Sequence, residues 1–310
     1  MPDVLGIDTS NYTTSAALLK DGAVAQSKKL LPIMPGEKGI RQSDAVFHHV
    51  RQLPEVLCAL PLAGASVAAV GVSDRPRSAE GSYMPCFLAG VAAASAAAMS
   101  LGVPLRAFSH QQGHIAAALY SAGKLGLLNG RFLAFHVSGG TTEAVLCEPD
   151  AETVFSTELV ARSLDLKAGQ AVDRVGVMLG LAFPAGPELE NLALRTGARF
   201  SVRPSMKGAD CSLSGVENRC RDLLAKGAPK EDIAAFCLQS ILAALDGMAS
   251  ALLKRFGDLP LLFAGGVMSN SIIRAAMTHK YGACFAEPAF SADNAAGVAV
   301  LAALKEGIFP

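Results

Sequence analysis

The sequence predicts an α/β protein of two related lobes, and three observations carry that reading. The chain is 310 residues long, enough for about two domains of ordinary size. Two units of apolar strand, polar turn and returning strand recur, one near residue 4 and one near residue 132. Elsewhere helical patterns alternate with short buried strands, the mark of sheets covered by helices. No repeat of solenoid length appears.

In chain order, Val4–Asp8 reads as a strand ending in the loop Thr9-Ser10-Asn11-Tyr12-Thr13-Thr14. A second apolar run follows at Ser15–Leu19, and Lys20-Asp21-Gly22 supplies a turn. Cys86–Leu105 carries no charge, but its Ala, Gly and Ser content and the bracketing Pro85 and Pro104 suit a buried helix better than a membrane span. Arg131–Leu146 repeats the hairpin around Ser138-Gly139-Gly140-Thr141-Thr142. Ile233–Phe256 is helical, closed by Lys254, Arg255 and Gly257. Leu259–Ala264 is a strand that runs through Gly265-Gly266 into a helix from about Ser271. Ser291 can cap a last helix, Ala292–Lys305, with Gly307 just beyond. The expected division is a first lobe of residues 1–106, to which 290–310 return, and a second of 107–289.

Lysines and arginines number 27 and so do aspartates and glutamates, giving a pI near 7.0. That excludes a broad polybasic surface able to bind nucleic acid unaided, and the absence of Trp weakens a stacking platform. The seven cysteines are scattered with no C-x-x-C pair, against a zinc ribbon or a disulfide framework. The N-terminus lacks a basic segment followed by an apolar one, so a cytoplasmic location is expected.

The glycine turns are the first candidate sites. Successive amides and hydroxyls at Ser138–Thr142 can form an anion nest. Gly265-Gly266 opens a helix whose N-terminal amides favour phosphate or adenosine. Each alone is as readily a tight turn. Together with the Thr9–Thr14 loop they match the layout of the actin, sugar-kinase and chaperone-ATPase superfamily. His110-Gln111-Gln112-Gly113-His114 would place two imidazoles on one helical face, as metal ligation requires. The same pair could simply flank an Ala-rich helix. Gln111 occupies the place of the general-base Glu in H-E-x-x-H, so zinc-protease chemistry is poorly supported. Asp293 is a third candidate ligand or a helix N-terminal carboxylate. Asp173, which opens a helical pattern ending at Gly180, could bind ribose, orient a reacting group or serve as a first-turn acid.

Several motifs fall in one order. They are Gly6-Ile7-Asp8-Thr9-Ser10, His110-x-x-Gly113-His114, Val137-Ser138-Gly139-Gly140-x-Thr142 and Ala168-Gly169-x-Ala171-x-Asp173. Leu179-Gly180-Leu181, Phe183-Pro184-x-Gly186-Pro187, Ser212-x-Ser214-Gly215, Ala264-Gly265-Gly266-Val267-x-x-Asn270 and Ala292-Asp293-Asn294 follow. Over about residues 4–303 the chain resembles the TsaD-like family, the tRNA threonylcarbamoyladenosine transferases once labelled O-sialoglycoprotein endopeptidases.

The resemblance implies a two-lobed actin-like ATPase fold with a ligand cleft between lobes. It implies one divalent metal, Fe(II) or Zn(II), on His110, His114 and Asp293. It also implies an adenylate ligand, threonylcarbamoyl-AMP or ATP/ADP, on Val137, Ser138, Gly139, Gly140, Asp173, Gly186 and Asn270. The reaction it implies is acyl transfer to N6 of the adenosine beside the anticodon in tRNA. TsaB- and TsaE-like partner proteins would supply basic surface, and a homo- or heterodimer is expected. The chain departs from the family at four places. Tyr12 and Thr13 stand where an Asp-Glu pair is usual, and Asp74-Arg75-Pro76-Arg77-Ser78 replaces a Gly-Pro-Gly loop. Thr141 replaces a histidine, and Ser214-Gly215-Val216-Glu217-Asn218 loses a lysine. Three readings follow: an active transferase, a paralogue that serves as a nucleotide- and metal-binding scaffold or acts on another acceptor, and a metalloprotease.

Overall fold

The computed structural model describes residues 1–10, 12–32, 40–290 and 295–308. In chain order its elements begin with β1 (Asp3–Asp8), β2 (Thr13–Lys20), β3 (Ala23–Leu30), α1 (Gln42–Cys58), β4 (Val67–Arg75), α2 (Phe87–Leu101), β5 (Leu105–Ser109) and α3 (His110–Ser121). They continue through β6 (Phe132–Val137), β7 (Thr142–Asp150), β8 (Val154–Arg162), α4 (Ala168–Met178), α5 (Gly186–Ala193), β9 (Ser205–Lys207) and β10 (Asp210–Ser212). Last come α6 (Ser214–Ala225), α7 (Lys230–Phe256), β11 (Leu261–Ala264), α8 (Ser271–Tyr281), β12 (Cys284–Phe285) and α9 (Ala295–Lys305).

The two expected hairpins are β1–β2 and β6–β7, and each opens a five-stranded sheet. One sheet runs β3-β2-β1-β4-β5 and the other β8-β7-β6-β11-β12, the same order in both. In each, the first strand pairs antiparallel with the second and parallel with the fourth.

Contacts divide the chain into one unit of residues 1–129, 148–157 and 289–310, and a second of 130–147 and 158–288. The first boundary thus falls after 129 and not at 106, because α3 packs on α9, β4 and β5 of the first unit. No periodicity signal in the sequence reports that packing.

In the first unit, α2 ends at Gly102, whose φ is 66°. At 15 residues α2 is shorter than a membrane span, and its inner face meets Leu5, Ile7, Val70 and Val72 of the sheet. Helix α1 is pinned to the β-hairpin by a buried polar chain. Gln52 Nε2 donates to the Leu30 carbonyl at 3.0 Å, and Thr14 Oγ1 donates to Gln52 Oε1 at 2.7 Å. Thr14 has one proton, already given to Gln52, so His49 Nδ1 must donate to Thr14 Oγ1 at 2.8 Å. The acceptor lone pair of His49 then sits on Nε2, which is buried without a partner among the described residues.

In the second unit, Phe135, Phe263 and Phe285 fall in register across β6, β11 and β12. Their rings stack at 4.5 and 5.3 Å between centroids. Helix α7, 27 residues long, is long and apolar enough to cross a membrane by composition alone. It is instead the core helix of this unit, burying Ile233, Cys237, Leu238, Ile241 and Leu245 against the sheet and neighbouring helices.

Burial lowers the His49 pKa from 6.5 to about 4; the Asp8 charge opposes that shift and His48 adds to it. The unfolded chain therefore takes up a proton near pH 6.5 that the folded chain refuses until about pH 4. Stability is lost as pH falls through that window, by on the order of 3 kcal/mol at about 1.4 kcal/mol per unit. Urea unfolding of wild type and His49→Gln across pH 7 to 4 checks this. The variant's stability should change less with pH by that amount, and parallel curves would refute it.

Candidate functional site

The first cluster is built at the start of α3. Ser109 caps the helix, its Oγ accepting from Gln112 N at 3.2 Å while Gln112 Oε1 accepts from Ser109 N at 2.9 Å. Such a capping box is worth about 1 kcal/mol and fixes where the helix begins. It makes His110 the first helical residue and His114 its neighbour one turn on. Their rings lie edge to face, 4.6 Å between centroids, so the expected shared face is observed. Phe87 packs edge-on against His110 at 6.1 Å.

Asp8, at the end of β1, is only 1% exposed. Its Oδ1 accepts from Ser10 N at 2.9 Å and Ser10 Oγ at 2.5 Å. Its Oδ2 accepts from Ser73 Oγ on β4 and lies 3.0 Å from His110 Nδ1. Burial works against the charged form, but the nearby His110 charge and the hydrogen bonds from His110, Ser10 and Ser73 outweigh it. They hold the carboxyl well below the usual carboxylate range. Asp8 was not among the sequence candidates. Its signals were an acid ending an apolar strand and a place in the motif Gly6-Ile7-Asp8-Thr9-Ser10.

Two imidazoles one turn apart, one of them backed by a carboxylate, form a donor set that suits a divalent metal. Asp293, the expected third ligand, lies outside the described residues, as does Ser291. Among the described residues no group of three His, Cys, Asp or Glu side chains is disposed to hold a metal. Gln111 Oε1 accepts from Thr157 Oγ1 at 3.2 Å. A neutral amide so engaged offers no general base, which removes the residue a metalloprotease would need there.

Three hydroxyls of the Thr9–Thr14 loop, those of Thr9, Ser10 and Thr14, are structural. Thr9 Oγ1 donates to the Cys86 carbonyl at 2.9 Å and accepts from Gly90 N at 3.0 Å, anchoring α2. Ser10 serves Asp8 and Thr14 serves α1. Asn11 lies outside the described residues.

The second cluster is a cavity of about 450 Å³ within the second unit. Four expected nucleotide residues line it: Gly139, Asp173, Gly186 and Asn270. Val137, Ser138 and Gly140 do not. Val137 is fully buried and Ser138 shapes the turn, its N donating to the Thr141 carbonyl at 2.7 Å and its Oγ accepting from Thr141 N at 3.2 Å.

Two glycines let backbones close round the cavity. A Cβ on Gly169 would stand 2.6 Å from Gly139 N, and one on Gly265 would stand 2.4 Å from the Val137 carbonyl oxygen. Gly265 also has φ +102°, a conformation L side chains rarely adopt.

Asp173 is not the opening residue of its helix. α4 begins at Ala168, whose N donates to Thr142 Oγ1 at 2.9 Å, so Asp173 lies in mid-helix and is no first-turn acid. Its Oδ1 accepts from Ala185 N at 2.9 Å, and among the described residues Oδ2 has no partner. Asn270 caps α8 by accepting from Ile273 N at 3.0 Å, so its side-chain amide nitrogen is the group left for a ligand.

Glu190 also lines the cavity and was missed. Its Oε1 accepts from Ser271 N at 2.7 Å and from Ser271 Oγ. One turn after Gly186, it shares a helical face with an expected residue, the signal that could have found it.

The sequence profile of TsaD, the tRNA N6-adenosine threonylcarbamoyltransferase family, matches residues 32–300. The chain belongs to this family. The family is one of acyltransferases, and its members use a metal and an ATP-derived substrate. A relative of that name from Chlorobium luteolum is 30% identical, over 97% of this chain and 92% of the relative. Another, from Thermosipho africanus, is 30% identical over 87% of this chain and 83% of its own length.

Among solved structures, component A of the Acidaminococcus fermentans (R)-2-hydroxyglutaryl-CoA dehydratase superposes with a TM-score of 0.57 at 18% identity, covering 99% of this chain and all of that one. T. kodakarensis HypF gives 0.63 at 13% identity, over 99% of this chain and 48% of HypF. These likenesses concern the fold alone, an α/β arrangement shared over nearly the whole of this chain.

The departures from the family pattern have local partners. Arg75 bonds both carboxylate oxygens of Asp74 at 2.7 Å, and Ser78 Oγ donates to Gln112 Oε1 at 3.1 Å. Glu217, at the place of the lost lysine, pairs with Arg174 at 3.1 Å and Arg221 at 2.8 Å.

Because the Gly169 Cβ would meet backbone, Gly169→Ala should destabilise the protein by about 1–3 kcal/mol. Gly197→Ala, with nothing within 4 Å of the added carbon, should stay within about 0.5 kcal/mol. Urea denaturation of both variants decides, and equal stabilities would refute the close approach.

Proposed function

We propose that the protein transfers a threonylcarbamoyl group from threonylcarbamoyl-AMP to N6 of the adenosine beside the anticodon in tRNAs. The observation that carries the reading is that a TsaD match over residues 32–300 coincides with one cavity lined by four of the expected adenylate residues. At about 450 Å³ that cavity is within the range of small-molecule sites.

In this reading the adenylate phosphate lies against the Gly139 amide, which suits an anion. Asp173 Oδ2 takes a ribose hydroxyl, and the Asn270 amide contacts the base. N6 attacks the carbamoyl carbon and loses a proton, the carbon–oxygen bond to the phosphate breaks, and AMP departs. That amide meets the charge that grows on the leaving phosphate.

His110, His114 and Asp293 would hold one divalent ion, Fe(II) or Zn(II). When bound, it supplies Lewis-acid polarisation of a carbonyl. The neutral pI leaves much of the basic surface for tRNA to partner proteins, in this reading TsaB- and TsaE-like, in a homo- or heterodimer in the cytoplasm.

A second reading, a paralogue with another acceptor, is favoured by Tyr12 and Thr13 at the usual acidic pair and by the paired Glu217 at the lost lysine.

The test combines metal analysis of wild type and His110→Ala/His114→Ala with a tRNA threonylcarbamoylation assay supplied with threonylcarbamoyl-AMP and partner proteins. The transferase reading expects near one metal per chain, lost in the variant, and modified tRNA from wild type alone. Metal without transfer would point to the paralogue. A metal-free wild type would overturn the metal assignment. Separately, Asp173→Ala should weaken AMP binding by calorimetry about tenfold or more, the worth of a charge-assisted hydrogen bond at 1.5–3 kcal/mol.

A further inference from the structure

We infer that Asp8 is a positioning residue that fixes which imidazole nitrogen His110 presents to a metal ion. The inference rests on the proposed role of His110 and His114 as ligands, and it deepens that reading by one shell.

The argument starts from donor and acceptor inventory. An ionised carboxylate can only accept hydrogen bonds. Asp8 Oδ2 lies 3.0 Å from His110 Nδ1, so the bond exists only if Nδ1 carries the proton. In neutral imidazole the lone pair is then on Nε2, the nitrogen turned from the carboxylate. Metal-bound histidines take their tautomer and ring orientation from such an outer partner.

The carboxylate itself cannot rotate away. Its other oxygen is held by Ser10 N and Ser10 Oγ at 2.9 and 2.5 Å, and Ser73 Oγ shares Oδ2. The ring is confined too, with Phe87 on one side and His114 4.6 Å away. Strand β1, strand β4 and helix α3 thus meet at one carboxylate whose imidazole partner among the described residues is the first residue of the metal-type pair.

The isosteric Asp8→Asn variant tests this sharply. The Ser10 backbone N–H is an obligate donor, so the new carbonyl oxygen must stay at the Oδ1 position. The amide nitrogen then faces His110, and Nδ1 can bond to it only as an acceptor. The proton is driven to Nε2 and the lone pair leaves the metal-facing nitrogen.

The experiment is ¹⁵N-resolved NMR of the histidine rings in metal-free protein, followed by Zn²⁺ and Co²⁺ affinities by chelator competition. Wild type should show His110 protonated at Nδ1 and Asp8→Asn should show it at Nε2, with metal affinity falling 10- to 100-fold. Ser73→Ala removes a different donor from the same oxygen. It should keep the wild-type tautomer and stay within threefold in affinity.

A wild-type His110 protonated at Nε2, an unchanged tautomer in Asp8→Asn, or an equal loss of affinity in Ser73→Ala would overturn the inference. His110→Ala/His114→Ala separates it from the reading beneath. If that variant binds metal like wild type, the ligand assignment fails, whereas the tautomer measurement judges Asp8 without any metal present.

Discussion

The first unit is organised round a buried charge. Asp8 ends the central strand of its sheet at 1% exposure, where an unpaired carboxylate would be prohibitive. The fold answers with four donors from three places: the Ser10 backbone and hydroxyl, Ser73 on the neighbouring strand and His110 at the start of α3. Each donor is positioned by its own element, so the parallel β1–β4 pairing and the start of α3 are coupled through one side chain. Removing one partner takes one of four donors from a buried charge, a loss of stability that the remaining three do not make up.

The second unit is organised by close backbone approach. The turn after β6 is touched by the start of α4 at Gly169 and by the end of β11 at Gly265, and no side chain fits at either contact. Three backbones can then border one cavity, with Asp173, Glu190 and Asn270 standing round it. Asn270 and Glu190 both also satisfy the first turn of α8. A helix-capping role for Asn270 is thus compatible with a ligand role, since the cap uses the amide oxygen and leaves the nitrogen.

The same accounting separates turns that hold the fold from turns that border a cavity. Both hairpin loops are rich in hydroxyls, yet in the first loop Thr9, Ser10 and Thr14 are engaged with α2, Asp8 and α1. In the second loop Ser138 and Thr142 hold the turn and the start of α4, while Gly139 faces the cavity. A hydroxyl-rich loop therefore says little until each oxygen's partner is known.

The sequence alone determined what depends on near neighbours. The hairpins at residues 4–19 and 132–146, the core helix ending at Gly257, the helix starting at about Ser271 and the shared face of His110 and His114 follow from periodicity, turn residues and i, i+4 spacing. The ordered motifs also carried the family and four of the residues that line the cavity. Tertiary structure decided what depends on strand order. It brought Asp8 to His110 across 102 positions and Glu190 to Ser271 across 81. It set Asp173 in mid-helix, and it assigned α3 to the first unit through its packing on α9. Hydrogen-bond partners that far apart leave no periodic trace in the chain, because which strand lies beside which is settled only when the whole sheet has formed.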